Sequence, residues 1–323
     1  MPERLQPPKW NTFVIVVTVP YFIERCLETL YQYTEKGSFY VYIIDQTITG
    51  LDATRLRDTY PNLLVIRTPK TYVHPTGNLG HSQGTNLGLS LVETPYVTLL
   101  NDDVEFVSMQ WWQGVMDTFD KVEEQTPDRP AIMVNPASIK LPDWSVGRSA
   151  GDDFYIMPYK DHYTDEDWRH LVDDPHPVNE HLTLVPGSVI DGVNLYASVC
   201  DTKKLNEVGR IDDFWFPGNA NDYDLSCRAG MYGYRCIGTT LSWVFHHWSK
   251  TFHSDAEMQA LAIPNLTKGD LREKWGDRLD VWGVKCIKGE GEVRLQTKDG
   301  ITATCPKHPD EIYSIPQNTY IPL

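Results

Sequence analysis

The chain has 323 residues, long enough to bury a full core as one large domain or as a domain with an appendage. Hydrophobic residues make up 41% and charged residues 23%, a balance that excludes a disordered or fibrous chain. The 29 Lys and Arg stand against 44 Asp and Glu, a formal charge of −15 with no basic run to offset it, so nucleic acid is not expected as a partner.

The opening segment MPERLQPPKW has no hydrophobic signal core. The longest apolar stretch, Phe13–Phe22, is interrupted by Thr18 and Pro20 and is too short to span a bilayer. Cys26, Cys200, Cys227, Cys236, Cys286 and Cys305 are scattered without a C-x-x-C pair, which removes zinc-ribbon and redox-motif readings and favours reduced thiols. A soluble, cytoplasmic protein is expected, at most peripheral to a membrane.

In chain order, Phe13–Val19 is a continuous β-branched run and reads as a strand buried on both faces. Pro20 suits the first turn of a following helix, with Ile23, Leu27 and Leu30 on one face and Gly37 at its end. Strand Tyr40–Asp45, strand Leu63–Arg67, helix Gln83–Val92, strand Tyr96–Leu100 and helix Trp111–Val122 continue the pattern. Alternation of this kind predicts an α/β fold, a twisted, mainly parallel Rossmann-type sheet flanked by helices. In such sheets the ligand site lies at the carboxyl ends of the strands, where Asp45 and Asn101–Asp103 fall.

Residues 136–180 lose periodicity and are rich in Asp, Pro, Tyr and Trp, which reads as an insertion or lid. Patterning returns at Val185–Ala197, and Leu241–Phe245 reads as the last buried strand. The division expected is a domain over 1–253 and a small extension over 254–323. The extension would carry a helix near Gly269–Trp275 and a hairpin, Glu292–Gln296 with Ile301–Cys305, turning through Lys298-Asp299-Gly300. It is too small for its own core and offers a route to a homo-oligomer.

Four segments carry chemistry. Leu99-Leu100-Asn101-Asp102-Asp103 ends a strand in carboxylates, oxygen ligands of the kind a hard divalent cation takes together with phosphate and water; the plain alternative is a solvated acidic loop. The glycines from Gly77 to Gly88 match neither G-x-G-x-x-G nor the P-loop, so close helix packing is their favoured role, with an exposed face lining a nucleotide site as the alternative. Asp222 and Asp224 follow the Pro217-Gly218 turn, with Arg228 further on. A carboxylate there either caps a helix Asp222–Gly230 or faces a pocket as a base. His246-His247 follow the last strand and either complete a metal site or pack as ordinary histidines.

Taken in order, VIVVTVPYFIERCLETLYQY, YIIDQT, NLGHSQGTNLGLS, LLNDDV, the stretch from Val208 to Arg235 and VFHHWS resemble the motifs of inverting GT-A glycosyltransferases of the family 2 type. REKWG resembles a motif of that family's tails. The resemblance covers roughly residues 12–252, and the order of several motifs is more specific than any one. It implies a GT-A-like domain that moves a sugar from a nucleoside-diphosphate donor, UDP- or dTDP-type, to a hydroxylated acceptor such as a glycan, with Mn2+ or Mg2+ as cofactor.

By that resemblance Asp45 contacts the nucleotide base, and Asn78, Asn86, Asn101 and Asp102 lie on the donor side. Asp103 binds the metal with His246 or His247, and Asp222 is the catalytic base. Asp212, Asp224 and Arg228 are acceptor-side or structural, Asp224 being the structural acid paired with Arg228. Two positions depart from the pattern: Asn101 opens the D-x-D motif, and Asn221 stands before the base where relatives often carry glutamate. A nucleotidyltransferase acting on a sugar phosphate and a non-catalytic carbohydrate-binding protein of the same fold are the alternatives.

Overall fold

The computed structural model describes residues 10–72, 74–139, 195–213 and 221–247, together with four strands near the C-terminus. An eight-stranded sheet is built from β1 (Asn11–Val17), β2 (Phe39–Asp45), β3 (Leu63–Arg67), β4 (Tyr96–Asn101), β5 (Val104–Phe106), β6 (Ala131–Ile139), β7 (Ala197–Asp201) and β8 (Arg235–His246). Their spatial order is β3-β2-β1-β4-β7-β6-β8-β5. The β3-β2-β1-β4 half is parallel throughout, β6 and β8 are parallel, and β7 and β5 run antiparallel to their neighbours. The expected α/β class with a mainly parallel sheet is what the chain adopts.

The run NTFVIVV makes β1 the centre of the parallel half because it has side chains to bury on both faces. Phe13, Ile15 and Val17 point into one core with Ile23, Leu27 and Leu30 of α1 (Ile23–Tyr33) and with Trp111 and Val115 of α4 (Trp111–Gln125). Val14 faces the other, with Leu89 of α3 (Gly80–Leu89), Leu205 of α5 (Thr202–Val208) and Leu225 of α6 (Asn221–Met231). Each such side chain, fully buried, contributes roughly 1.5–3 kcal/mol. A short α2 (Ala53–Thr59) is capped by Asp52, whose side chain accepts from the Arg55 amide.

The glycine-rich segment has the packing role expected of it. A Cβ on Gly88 would stand 2.4 Å from Val14 Cγ1, and one on Gly84 would stand 3.1 Å from Val16 Cγ1, so α3 lies closer to β1 than any side chain would allow.

Several boundaries differ from expectation. The first strand spans Asn11–Val17 because Asn11 already pairs with Phe39 and Tyr96, and Pro20 lies ahead of α1 rather than in its first turn. Helix α3 begins at Gly80, within the glycines, and ends at Leu89. The last strand starts six residues early, at Arg235. Strand β6 runs through Pro136 to Ile139, with a register shift between Pro136 and Ala137 in its pairing with β8, because proline is admitted to a sheet at an irregularity.

Residues 140–180 of the expected insertion lie outside the described residues, as do residues 185–194 of the expected Val185–Ala197 run, the Pro217-Gly218 turn and the expected helix Gly269–Trp275. The expected hairpin is present as β10 (Glu292–Thr297) with β11 (Ile301–Cys305), in a second, antiparallel sheet completed by β9 (Gly283–Lys285) and β12 (His308–Ile315). Among the described residues no helix is long and apolar enough to cross a membrane.

Candidate active site

Parallel register decides which residues meet. Val17 of β1 stands opposite Asp45 of β2, and Val16 stands opposite Asn101 of β4, so both polar ends emerge at one edge of the sheet. The antiparallel pairing of β5 with β8 sets Val104 opposite His246 and brings the end of β8 to the same edge.

Asp103 and His246 are both buried, and Asp103 Oδ1 lies 3.1 Å from His246 Nε2. The Asn101 side-chain nitrogen is 3.5 Å from the same imidazole nitrogen. Tyr196 stacks on His246 with ring centroids 5.0 Å apart. Burial works to raise the Asp103 pKa, but the attraction and hydrogen bond of His246, with His247 farther off, outweigh it and hold the carboxyl below its usual value. Asp102 is buried beside it.

His247 is held elsewhere. Its Nε2 lies 2.8 Å from Glu105 Oε1, while Glu105 Oε2 accepts from Arg25 Nε at 2.9 Å. Phe22 and Phe245 flank the ring at 5.0 Å and 4.7 Å, and the His247 amide donates to the Asp103 carbonyl at 3.0 Å. The two histidines left open by the sequence therefore differ: His246 faces Asp103, and His247 faces Glu105. Burial opposes ionisation of Glu105, but His247 and Arg25 prevail and lower its pKa. The carboxylates Asp102, Asp103 and Glu105 together act on Cys26, whose thiol is driven up first by burial and then by those charges.

Among the described residues no group of three or more His, Cys, Asp or Glu side chains is arranged to hold a metal by itself. Asp103 and His246 supply one oxygen and one nitrogen donor. That set fits a divalent ion such as Mn2+ or Mg2+ that completes its shell with phosphate oxygens and water.

At the end of β2, Asp45 Oδ1 accepts from the Thr47 amide at 3.0 Å, the Thr47 hydroxyl at 2.7 Å and Arg67 Nη1 at 2.8 Å. Asp45 Oδ2 accepts from the Leu51 amide at 2.9 Å. Burial would raise the Asp45 pKa, but these donors, Leu51 foremost, lower it. Asn78 Oδ1 accepts from the Gly80 amide at 2.8 Å and shapes the start of α3. Asn86 braces the segment at Ile211–Asp213: its amide nitrogen donates to the Ile211 carbonyl at 2.6 Å and to Asp213 at 3.1 Å, and its oxygen accepts from the Ile211 amide at 3.2 Å.

Asp222 and Asp224 stand in the first turn of α6. Asp222 is half-buried and Asp224 fully buried. Arg228 Nε donates to Asp224 Oδ2 at 2.8 Å, and its two other nitrogens reach the carbonyls of Val208 at 2.9 Å and Arg210 at 2.6 Å. Asp212 is half-buried, between Ile211 and the exposed Asp213. The residues that sequence reasoning missed are Arg25, Glu105, Arg67 and His81. Glu105 alone left a trace, as a carboxylate inside the apolar triplet Val104–Phe106.

The fold and site define an α/β protein with a buried carboxylate–imidazole pair, Asp103 and His246, at the carboxyl edge of its sheet. No protein-family profile and no curated protein matches the chain. Among solved structures it is similar to S. aureus TarS 1–349, at a TM-score of 0.48 and 12% identity over 83% of this chain and 68% of that one. It is also similar to the mannosyltransferase PcManGT of Pyrobaculum calidifontis in complex with GDP-Man and Mn2+, at 0.47 and 13% over 81% of this chain and 64% of that one. A third likeness is to GalNAc-T7 with UDP, GalNAc and Mn2+, at 0.47 and 13% over 74% and 43%. The chain thus spans less than two thirds of the mannosyltransferase and under half of GalNAc-T7. Likeness at this level leaves its chemistry to be argued from its own residues.

Proposed function

We propose that the chain is a metal-dependent, inverting glycosyltransferase that moves a sugar from a nucleoside-diphosphate donor to an acceptor hydroxyl. The observation that carries this reading is the Asp103–His246 pair, 3.1 Å apart and buried at the carboxyl edge, where α/β sheets bind their ligands. Asp103 and His246 would hold a divalent ion there, which would offset the negative charge that develops on the leaving diphosphate. Asn101 and Asp102 flank the pair on the donor side. Asp45, with Thr47 and Arg67, fixes the loop at the end of β2 against which a base lies.

Asp222 takes the acceptor proton. In one displacement the acceptor oxygen bonds to the anomeric carbon, the bond to the diphosphate breaks, and the hydroxyl proton passes to the Asp222 carboxylate. Inversion follows from the single attack. The place of Asp222 in the first turn of α6, half-buried where Asp224 is fully buried, supports this role. The thiols of Cys26, Cys200 and Cys236 are buried and in no disulfide, which suits a reducing compartment such as the cytoplasm.

The test is turnover of a panel of UDP-, GDP- and dTDP-sugars with Mn2+, read as released nucleoside diphosphate. Wild-type protein is expected to consume at least one donor, and Asp222→Asn to lower that turnover by about 10²–10⁴-fold, the span expected for loss of a general base, with donor affinity kept. Near-normal turnover by Asp222→Asn would move the base elsewhere. Release of pyrophosphate from a nucleoside triphosphate and a sugar phosphate would favour the nucleotidyltransferase alternative.

A further inference from the structure

Helix α3 touches both flanks of the acceptor-side segment. Asn86 grips Ile211 and Asp213 at its start. At its end, where α6 begins, Asn221 Nδ2 lies 2.9 Å from His81 Nδ1 in the first turn of α3. Asn221 Oδ1 in turn accepts from the backbone amide of Asp222 at 3.0 Å. The link runs across 140 residues of sequence and ends on the residue assigned as the base.

Hydrogen-bond logic leaves little freedom in this link. The Asp222 amide is only a donor, so the oxygen of the Asn221 carboxamide must face it and the nitrogen must face His81. A carboxamide nitrogen is also only a donor, so His81 Nδ1 must accept and its proton must sit on Nε2. The imidazole is therefore neutral. Burial lowers its pKa to about 4, and the positive end of α3 acts in the same direction. Asn221 is itself buried, and besides His81 its side-chain nitrogen reaches the Ser82 hydroxyl only at 3.5 Å, so loss of the 2.9 Å contact to His81 is poorly replaced.

We propose that His81 is a positioning residue: through Asn221 it fixes the start of α6, and so the place of the Asp222 carboxylate, without touching substrate. The role rests on the transferase reading above. It predicts a dependence on one acceptor atom rather than on an imidazole as such. Asparagine carries its side-chain oxygen where histidine carries Nδ1, whereas leucine carries a methyl group there.

The experiment compares wild type, His81→Leu, His81→Asn and Asn221→Ala in turnover of the best nucleotide sugar of the panel, with kcat and KM separated. Thermal unfolding is measured alongside. His81→Leu is expected to lose about tenfold in kcat, the equivalent of about 1.4 kcal/mol and within the range of one hydrogen bond, with KM unchanged. His81→Asn is expected to recover most of that loss. The double variant His81→Leu/Asn221→Ala is expected to lose no more than the worse single variant, since both cut one link. Nitrogen-detected NMR of the wild type at neutral pH is expected to show His81 protonated on Nε2 alone.

His81 protonated on Nδ1, or a folded His81→Leu with wild-type kcat, would overturn the positioning role. So would an equal loss in His81→Asn and His81→Leu. A wild-type protein that consumes none of the donors would overturn the transferase reading, a result no His81 variant can mimic.

Discussion

Arg228 reaches one carboxylate and two backbone carbonyls from a single guanidinium, and its carboxylate partner, Asp224, has a side-chain exposure of 0%. Removing Asp224 leaves a largely buried charge with only neutral acceptors, a change that costs about 3–5 kcal/mol. Asp224→Ala should therefore lower the urea midpoint by the equivalent of that loss, while Mn2+-dependent nucleotide affinity of the remaining folded protein stays close to wild type. Unchanged stability with lost affinity would move Asp224 from the scaffold into the site. The spacing of Asp224 and Arg228, one helical turn apart, made this pair legible in sequence. The Glu105 network was not, because its partners Arg25 and His247 stand 80 and 142 positions away and three residues of strand are too few to show an alternation. The same distance hid His81. Which histidine faces Asp103 also lay beyond the sequence, because adjacent strand residues point to opposite faces and only the pairing with β5 fixes which face is which.

At the scale of elements, helix α4 lies on the backbone of β8. A Cβ on Gly114 would stand 2.0 Å from the Leu241 carbonyl oxygen and 2.5 Å from its carbon. Alanine would gain about 1 kcal/mol of helix propensity, yet the neighbour is backbone in the interior of a strand and has no rotamer to change. Gly114→Ala is therefore expected to destabilise the protein by a net amount of about 1–3 kcal/mol, read as a lower denaturant midpoint. A variant as stable as wild type would show that α4 slides on the sheet. The long apolar strands were legible because continuous β-branched runs have few other uses. Helix α3 was placed late because glycines conceal its first turn, and α2 was not seen because Leu56 is its only buried residue. Pro136 stood as a false boundary, since the irregularity that accommodates it depends on pairing with β8.

Across the whole molecule, a formal charge of −15 sets the problem that an anionic donor meets. A nucleoside diphosphate bound there would add negative charge to a corner already holding Asp102, Asp103 and Glu105, with Arg25 on Glu105 as an offset. On the transferase reading proposed above, Asp103 and His246 would hold a divalent cation that offsets this charge. The most direct measurement is calorimetric titration of UDP and of GDP into wild type and Asp103→Ala, each with Mn2+ and with chelator. Wild type is expected to bind one of the two nucleotides with Mn2+ and to lose that binding in chelator, and Asp103→Ala to bind weakly and equally in both conditions. Metal-dependent binding that survives in folded Asp103→Ala, or a wild type that binds neither nucleotide with Mn2+, would contradict the account.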